Sequence, residues 1–202
     1  MTSDTSIAGC ILAGGQSRRM GEDKAVLELG GKPLIAHSIE RLKAQVTSLI
    51  ISAHESSADL DAYGLPVVTD SAGDHQGPLA GILAALRWAR ENEIAWIVTI
   101  AVDTPFFPRD LVSRLAEAAH DKELACASSA GRLHPVFGLW KAALAQELEQ
   151  QIGNGLRSIR QWVALHDAGI AQWPSEPYDP FFNINNPADR EAALRILAEI
   201  QP

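Results

Sequence analysis

Residues 7–24, IAGCILAGGQSRRMGEDK, decide the fold class of this chain. The segment begins with a short apolar run of the kind that forms a buried strand, and a glycine-rich polar stretch follows directly. Ligands of open α/β sheets bind at the carboxyl ends of strands, where glycines let backbone N–H groups approach phosphates closely. The segment therefore predicts a strand that leads into a phosphate-binding loop, with Arg18 and Lys24 as charged contacts.

The rest of the chain alternates short apolar runs with helix-period segments, which is typical of α/β architecture. Strands are predicted at 7–13, 48–53, 66–69, 94–101, 124–128, 135–140 and 181–184. Helices are predicted to start at four prolines, Pro33, Pro78, Pro108 and Pro187, and two more are predicted at 144–152 and 159–166. We expect a mostly parallel central sheet with helices on both faces, in one domain that spans residues 1–202.

Charge and composition exclude several classes of protein. The chain has 25 acidic and 17 basic residues among 202, and a net charge of −8 opposes binding to a nucleic-acid backbone. The longest nearly apolar run, 94–102, is far shorter than the roughly 20 residues that span a bilayer. With a polar amino end, these features predict a cytoplasmic protein without nucleic-acid or membrane partners. Cys10 and Cys126 stand alone in apolar runs and are predicted to be core residues.

The glycine-rich loop does not match the common nucleotide-binding motifs. It has neither the G-x-x-x-x-G-K-[ST] spacing nor the G-x-G-x-x-G spacing, which excludes an ordinary kinase, GTPase or dehydrogenase. The remaining structural alternative is a glycine-rich turn with solvated arginines. The concentration of three charges in this setting argues against that alternative.

The loop instead resembles the signature of a known family. Residues 12–24 fit LAGG-x-S-x-R-M-G-x-D-K, the pattern of molybdenum cofactor guanylyltransferases, which are MobA-like nucleotidyltransferases with a Rossmann-like fold. Four further segments have the order and spacing of that family: GPLAGI at 77–82, DTP at 103–105, HPVFGLW at 134–140 and NINNP at 183–187. The resemblance covers most of the chain.

The resemblance implies a reaction in which GMP passes from GTP to the terminal phosphate of molybdopterin bound to molybdenum, with release of pyrophosphate. It implies Mg²⁺ as cofactor, GTP and the molybdenum cofactor as substrates, and molybdenum-insertion proteins and molybdoenzymes as candidate protein partners. A sister enzyme that uses CTP or charges a sugar phosphate is the first alternative, although such relatives commonly read L-A-A-G where residues 12–15 read LAGG. A nucleotide-binding adaptor without catalysis is the second, and the retention of Lys24 and Asp103 argues against it.

The implied catalytic residues are Lys24, Arg18 and Asp103. Lys24 is expected to neutralise charge on the α-phosphate and on the leaving pyrophosphate, with help from Arg18, although the sequence does not divide this role between Arg18 and Arg19. Asp103 directly follows the most hydrophobic predicted strand, which places its carboxylate at the sheet edge. We expect Asp103 to hold Mg²⁺.

The resemblance also implies the nucleotide-binding residues. Leu12, Ala13 and Gly14 are expected to present backbone groups to guanine, and Asp70 to contact the guanosine moiety unless its carboxylate only caps a turn. Ser52 stands where family members often carry asparagine, and its shorter side chain puts a direct nucleotide contact in doubt.

The NINNP segment is expected to complete the site. Asn183 and Asn185 alternate on the predicted strand 181–184 and its continuation, so both should face Asp103, and Asn185 is the second candidate ligand for Mg²⁺. The alternative is that both amides satisfy buried backbone at a strand end. His134 is expected to shape the acceptor pocket rather than to transfer protons.

Overall fold

The computed structural model describes residues 6–14, 25–69 and 77–200. The strands are β1 (Ile7–Leu12), β2 (Glu28–Leu29), β3 (Lys32–Pro33), β4 (Ser48–Ala53), β5 (Val67–Thr69), β6 (Trp96–Ala101), β7 (Leu124–Ser129), β8 (Arg132–Lys141) and β9 (Gly169–Trp173). The helices are α1 (Leu34–Lys43), α2 (Ala58–Asp61), α3 (Pro78–Glu91), α4 (Leu111–Ala118), α5 (Ala145–Gly153), α6 (Ile159–Val163) and α7 (Pro187–Ile200), with a 3₁₀ turn at Ala142–Leu144.

Seven of these strands form one sheet in the order β5–β4–β1–β6–β8–β7–β9. Neighbouring strands are parallel except at β8, which runs antiparallel to both β6 and β7. The carboxyl ends of the parallel strands and the amino end of β8 therefore meet at one edge. The predicted mostly parallel sheet is confirmed.

Side chains of the central strands alternate between two separate apolar cores. In β1, Cys10 faces the core built with α3, α5 and α6, whereas Ile11 faces the core built with α1 and α4. Each face of the sheet is thus covered by helices, which explains why the central strands are almost continuously apolar. The prediction of helices on both faces is confirmed.

A third apolar cluster joins the two-stranded β2–β3 hairpin to the last helix. Leu29 and Leu34 pack with Ile184, Ala193 and Leu197 in this cluster. The hairpin begins shortly after the described chain resumes at residue 25, so this contact packs the chain between Leu27 and Leu34 against α7.

The structure corrects two predictions at the end of the chain. Residues 181–184 form no strand; only the Ile184 N–H bonds across to the main chain after β6, at the Asp103 carbonyl. The last strand of the sheet is β9 instead. The sequence did not reveal it because the strand has only five residues and the exposed Ile170 breaks the alternation of apolar and polar residues. The β2–β3 hairpin was also not predicted, since its strands have two residues each.

Several helix boundaries also differ from those predicted. Helix α1 starts at Leu34 with Pro33 just before it, α4 starts at Leu111 rather than at Pro108, and α6 ends at Val163. Among the described helices, none is long and apolar enough to cross a membrane.

Candidate functional site at the carboxyl edge of the sheet

The chain just after β1 is held between its two neighbouring strands at this edge. The Ala13 N–H donates to the Ser52 carbonyl at 2.8 Å, and the Val102 N–H donates to the Leu12 carbonyl at 3.2 Å. The side chains of Leu12 and Ala13 are buried, so only backbone groups of this segment can meet a ligand. Gly14 lies over the end of β4, where a β-carbon added to it would lie 3.4 Å from the backbone nitrogen of His54.

The first turns of α3 pack directly on the same edge. A β-carbon on Gly81 would lie 2.9 Å from Ser52 Oγ and 3.0 Å from Leu12 Cδ2, so this close approach depends on glycine. Ser52 is only 2% exposed beneath the helix. The structure therefore does not present the Ser52 hydroxyl to the edge, and its contact with nucleotide stays a prediction.

Asp103 lies in the turn after β6 and is partly exposed. Its carbonyl accepts the Ile184 N–H at 2.9 Å, and the buried Thr104 hydroxyl lies 3.4 Å from its carboxylate as a donor. Because Ile184 is fully buried, the exposed Asn183 and Asn185 on either side of it are presented away from the core beside Asp103. The structure thus brings together three predicted residues, without the predicted strand.

The start of α7 fixes the far end of this asparagine segment. Asp189 Oδ2 accepts the N–H groups of Asn185 and Asn186 at 2.8 and 3.2 Å, and the Asp189 N–H donates to Asn186 Oδ1 at 3.0 Å. This reciprocal arrangement is that of a capping box, with Pro187 at the first helical position. The backbone of the asparagine segment is therefore tied to the beginning of a helix.

The donor atoms at this position fit a hard divalent cation. Asp103 offers a carboxylate and Asn185 an amide oxygen, and both side chains reach solvent. Within the described ranges, no group of three His, Cys, Asp or Glu side chains could enclose a metal. Mg²⁺ suits such an open site, because it commonly binds one or two carboxylates and completes its shell with water and substrate phosphates.

A hydrogen-bonded network lies at the same edge, where the β7–β8 hairpin turns through Ala130 and Gly131 at positive φ. His134 Nε2 lies 2.7 Å from the hydroxyl of the buried Ser129, which donates to Asp179 Oδ1 at 2.8 Å. The imidazole also stacks on Phe181 with ring centroids 4.6 Å apart. Burial lowers the pKa of His134, so its ring is neutral near pH 7.

A cavity of about 340 Å³ opens beside the amino end of α3. Its lining includes Gly77, Pro78, Pro135, Arg157, Ser158 and Arg160, and no acidic side chain lines it among the described residues. Arg157 Nη1 donates to the Ile152 and Leu156 carbonyls at 2.9 and 2.8 Å, which holds its guanidinium at the wall. Arg157, Arg160 and the amino end of α3 are the positive groups in an otherwise largely apolar lining, and they favour an anionic ligand over a cationic one.

Sequence reasoning did not identify the two arginines of the cavity. Arg157 and Arg160 follow a Gly-Asn-Gly turn between two helices, and they are basic residues in a chain with an acidic balance. That local concentration of positive charge was the available signal. It did not point to the edge of the sheet, because the cavity forms only when the α5–α6 connection packs near Pro135 and α3.

Four predicted residues, Arg18, Arg19, Lys24 and Asp70, lie outside the described residues. The described chain stops at Gly14 on the sheet edge and resumes at the buried Ala25, whose carbonyl accepts the Ile35 N–H at 3.1 Å. It stops again at Thr69, the last residue of β5, and resumes at Gly77, which directly precedes α3. The residues that flank positions 15–24 and 70–76 thus lie at the carboxyl edge of the sheet or in elements next to it.

The two cysteines lie in the core, as predicted, and contribute no chemistry to the site. Both are free and buried. Burial raises the pKa of Cys126 to about 12 and raises that of Cys10 further still, so both remain protonated thiols.

Comparison with known proteins identifies a related family. Residues 9–169 match the MobA-like NTP transferase domain. A molybdenum cofactor guanylyltransferase of Nitrobacter hamburgensis is 42% identical over 94% of this chain and 94% of its own. Another, from Cereibacter sphaeroides, is 44% identical over 94% of this chain and 96% of its own.

Solved structures agree with this match at the level of the fold. Molybdopterin-guanine dinucleotide biosynthesis protein A from Archaeoglobus fulgidus superposes with a TM-score of 0.74 at 23% identity, covering 96% of this chain and 100% of that one. The 4-diphosphocytidyl-2C-methyl-D-erythritol synthase of Anaerococcus prevotii gives a TM-score of 0.75 at 12% identity, covering 96% of each chain. At these identities the likeness supports the fold alone.

Proposed function

This chain belongs to the MobA-like NTP transferase family, among the molybdenum cofactor guanylyltransferases, and we propose on that basis how its residues carry out guanylyl transfer. The enzyme transfers GMP from GTP to the phosphate of molybdopterin in the molybdenum cofactor and releases pyrophosphate. The observation that carries the proposed site is the meeting of Asp103, the asparagine segment 183–185 and the backbone of Leu12–Gly14 at one sheet edge.

The guanine base is proposed to lie against the backbone of residues 12–14. The buried side chains of Leu12 and Ala13 support this, since a ligand can meet this segment only through its main chain. The close packing of Gly81 on β1 and β4 brings the start of α3 next to the same position. Asp70, after β5, is proposed to contact the guanosine moiety.

The triphosphate is proposed to lie between Asp103 and the glycine-rich loop. Nucleotidyltransferases of this kind use a divalent metal ion, and bound Mg²⁺ would neutralise charge on the triphosphate oxygens. Asp103 is proposed to hold it, with Asn185 as the second ligand. Lys24, assisted by Arg18, is proposed to contact the α-phosphate and the leaving pyrophosphate.

The acceptor is proposed to bind in the cavity beside α3. Pro135 lines this cavity and follows His134 in β8, the strand next to β6, which leads to Asp103. Arg157, Arg160 and the amino end of α3 supply positive charge for an anionic acceptor. This position would bring the acceptor's phosphate towards the triphosphate from the β8 side of the sheet.

The chemical step needs alignment more than acid–base chemistry. An oxygen of the acceptor's phosphate attacks the α-phosphorus of GTP, and the bond from that phosphorus to the bridging oxygen of the β-phosphate breaks. A phosphate monoester is largely dianionic at neutral pH, so no side chain has to remove a proton. The protein therefore contributes orientation and charge neutralisation. Proteins that insert molybdenum or receive the finished cofactor remain proposed partners.

Calorimetric titration with GTP, CTP, ATP and UTP in Mg²⁺ tests the nucleotide assignment. We expect GTP to bind most tightly. Preference for CTP would instead indicate a cytidylyltransferase. A separate assay measures the release of pyrophosphate in the presence of molybdopterin. Nucleotide binding without that release would indicate an adaptor that has lost catalysis.

Two variants test the division of roles. Asp103→Ala is expected to lower turnover by about 100-fold or more at unchanged thermal stability, because it removes an electrostatic group from the reacting centre. Arg160→Ala is expected to raise the acceptor KM several-fold with little change in the GTP KM, and Arg195→Ala, which removes an exposed charge from α7, serves as its control. Near-normal turnover in Asp103→Ala would contradict the metal assignment.

A further inference from the structure

Asp179 belongs to none of the predicted site residues, yet it joins two parts of the site edge. Its Oδ1 atom accepts the hydroxyl of Ser129 at 2.8 Å and the N–H of Phe181 at 3.0 Å. Ser129 ends β7, and Phe181 begins the approach to the asparagine segment. We propose that Asp179 is a positioning residue for guanylyl transfer, which fixes the segment 179–185 against β7 and so places Asn183 and Asn185 beside Asp103.

The segment needs such an anchor because no strand holds it. Residues 182–185 have no regular secondary structure, although Phe181 and Ile184 are 5% and 0% exposed. Three hydrogen-bond anchors replace the missing ladder: Asp179 at the start, the Asp103 carbonyl in the middle and Asp189 at the end. A buried N–H is unfavourable without a partner, so the partners of the Phe181 and Ile184 N–H groups restrict the path of the backbone, and Asp189 fixes its end.

The directions of the hydrogen bonds exclude a nucleophilic role for Ser129. A carboxylate can only accept, so the single Ser129 hydroxyl hydrogen points to Asp179. The hydroxyl oxygen must then accept from His134, which requires hydrogen on Nε2 and leaves Nδ1 as an acceptor in the neutral ring. Asp179 therefore orients His134 through Ser129 while it also holds the Phe181 N–H.

Aromatic packing supports the same segment independently of the carboxylate. Phe181 stacks on His134 and packs against Phe137 and Trp173, with ring centroids 5.0 and 5.6 Å away. The contacts with Phe137 and Trp173 involve neither the Asp179 carboxylate nor a group that it orients. We therefore expect Asp179 variants to fold. We expect them to change the backbone conformation of the segment 179–185 rather than the packing of the core.

The test compares Asp179→Ala and Asp179→Asn with the wild type and with Thr47→Val. Asparagine keeps a side-chain oxygen that can accept both hydrogen bonds, whereas alanine keeps none. Thr47→Val is the matched control, because it removes one hydroxyl hydrogen bond, to the Ile7 carbonyl at 3.0 Å, at the opposite edge of the sheet. Amide hydrogen exchange of residues 181–186 and steady-state kinetics are measured on all four proteins.

Asp179→Ala is expected to speed exchange at residues 181–186 by about tenfold or more, and to lower kcat by about 10- to 100-fold with the GTP KM within twofold, because a small displacement of a positioned group costs up to about 100-fold in rate. Asp179→Asn is expected to restore both quantities to within about threefold. Unchanged exchange in Asp179→Ala, a kcat loss no larger than that of Thr47→Val, or failure of Asp179→Asn to recover would each overturn the proposal.

The kinetic half of this experiment rests on the proposed guanylyl transfer, and the exchange half does not. A wild-type protein that transfers no GMP would refute the proposed function, while the exchange rates would still decide whether Asp179 holds the segment. Normal wild-type transfer with unaltered exchange in Asp179→Ala would refute only the positioning role.

Discussion

At the scale of single residues, the candidate site at the carboxyl edge of the sheet depends on which groups are buried and which remain accessible to a ligand. Leu12 and Ala13 are buried and their main chain bonds to the neighbouring strands, whereas Asn183 and Asn185 are exposed on either side of the buried Ile184. Recognition through backbone tolerates side-chain changes of equal size but not added bulk. Recognition through exposed amides is expected to fail with a single substitution.

The buried thiols provide a prediction at this scale. Because burial raises the pKa of Cys126 to about 12, and that of Cys10 beyond it, the reactive thiolate is almost absent at pH 8. We expect neither cysteine to react with a thiol reagent such as Ellman's reagent at pH 8 in the folded protein, and both to react in denaturant. Rapid labelling of the native protein would show that a thiol is accessible.

A buried hydroxyl provides a second prediction. Thr99 accepts from Trp140 Nε1 at 2.9 Å and donates to the Val136 carbonyl at 2.7 Å, in the irregular stretch of β8 after His134. Thr99→Val leaves both groups without this partner and is expected to lower the free energy of unfolding by about 3 kcal/mol in urea titrations. Thr99→Ser keeps the hydroxyl and should cost clearly less. Equal losses would mean that the methyl packing, not the hydroxyl, is what matters.

At the scale of elements, two close contacts between a helix and the sheet depend on glycine. Gly81 lets α3 rest on β1 and β4, and Gly169 lets β9 rest on the end of α4. In both places the nearest atoms would overlap with any β-carbon. The Gly81 contact places α3 over the carboxyl ends of β1 and β4, and the Gly169 contact places the last strand of the sheet against α4.

Gly169 provides the prediction at this scale. A β-carbon there would lie 2.0 Å from the Ala118 carbonyl oxygen, a backbone atom that cannot move without α4. Gly169→Ala is expected to lower the free energy of unfolding by about 2–3 kcal/mol in denaturant titrations. In Gly153→Ala, the control, the β-carbon meets nothing within 4 Å, so stability should change little or rise. A loss in the control as large as in Gly169→Ala would reject steric overlap as the cause.

At the scale of the whole molecule, the two large apolar cores lie on opposite faces of one sheet. Cys10 and Ile11 are consecutive in β1 yet face opposite cores, so neither core can be lost without disturbing the strand they share. The same sharing supports the expectation of a single domain over residues 1–202.

That expectation predicts one cooperative unfolding transition. Trp140 and Trp162 report on one core and Trp173 on the other, so tryptophan fluorescence follows both faces of the sheet. We expect fluorescence and far-ultraviolet circular dichroism to give coincident midpoints in urea. Two separated midpoints would show that parts of the chain unfold independently.

Saturating GTP with Mg²⁺ is expected to stabilise the folded enzyme. At about 100 times the dissociation constant the gain is roughly 2.7 kcal/mol, equivalent to about 5–10 °C in Tm for a protein of this size. Differential scanning calorimetry with GTP and with ATP measures this shift. A shift with ATP as large as that with GTP would contradict guanine selectivity.

The amino-acid sequence by itself determined the parallel core strands, the helices on both faces and the family signature. These features depend on periodicity and on short contiguous motifs, which are readable without knowing what they contact. Asp103 was placed correctly at a strand end for the same reason.

Only the tertiary structure decided the remaining features of the site. It made β9 the outermost strand of the sheet and covered Ser52 beneath Gly81. It also joined Ser129 to Asp179 by a hydrogen bond across 50 positions of the chain. It also assembled the cavity with Arg157 and held Asn183 and Asn185 beside Asp103 without a strand. The physical reason is that hydrogen bonds and close contacts between distant segments depend on how elements pack, and no local pattern of residue types encodes that packing.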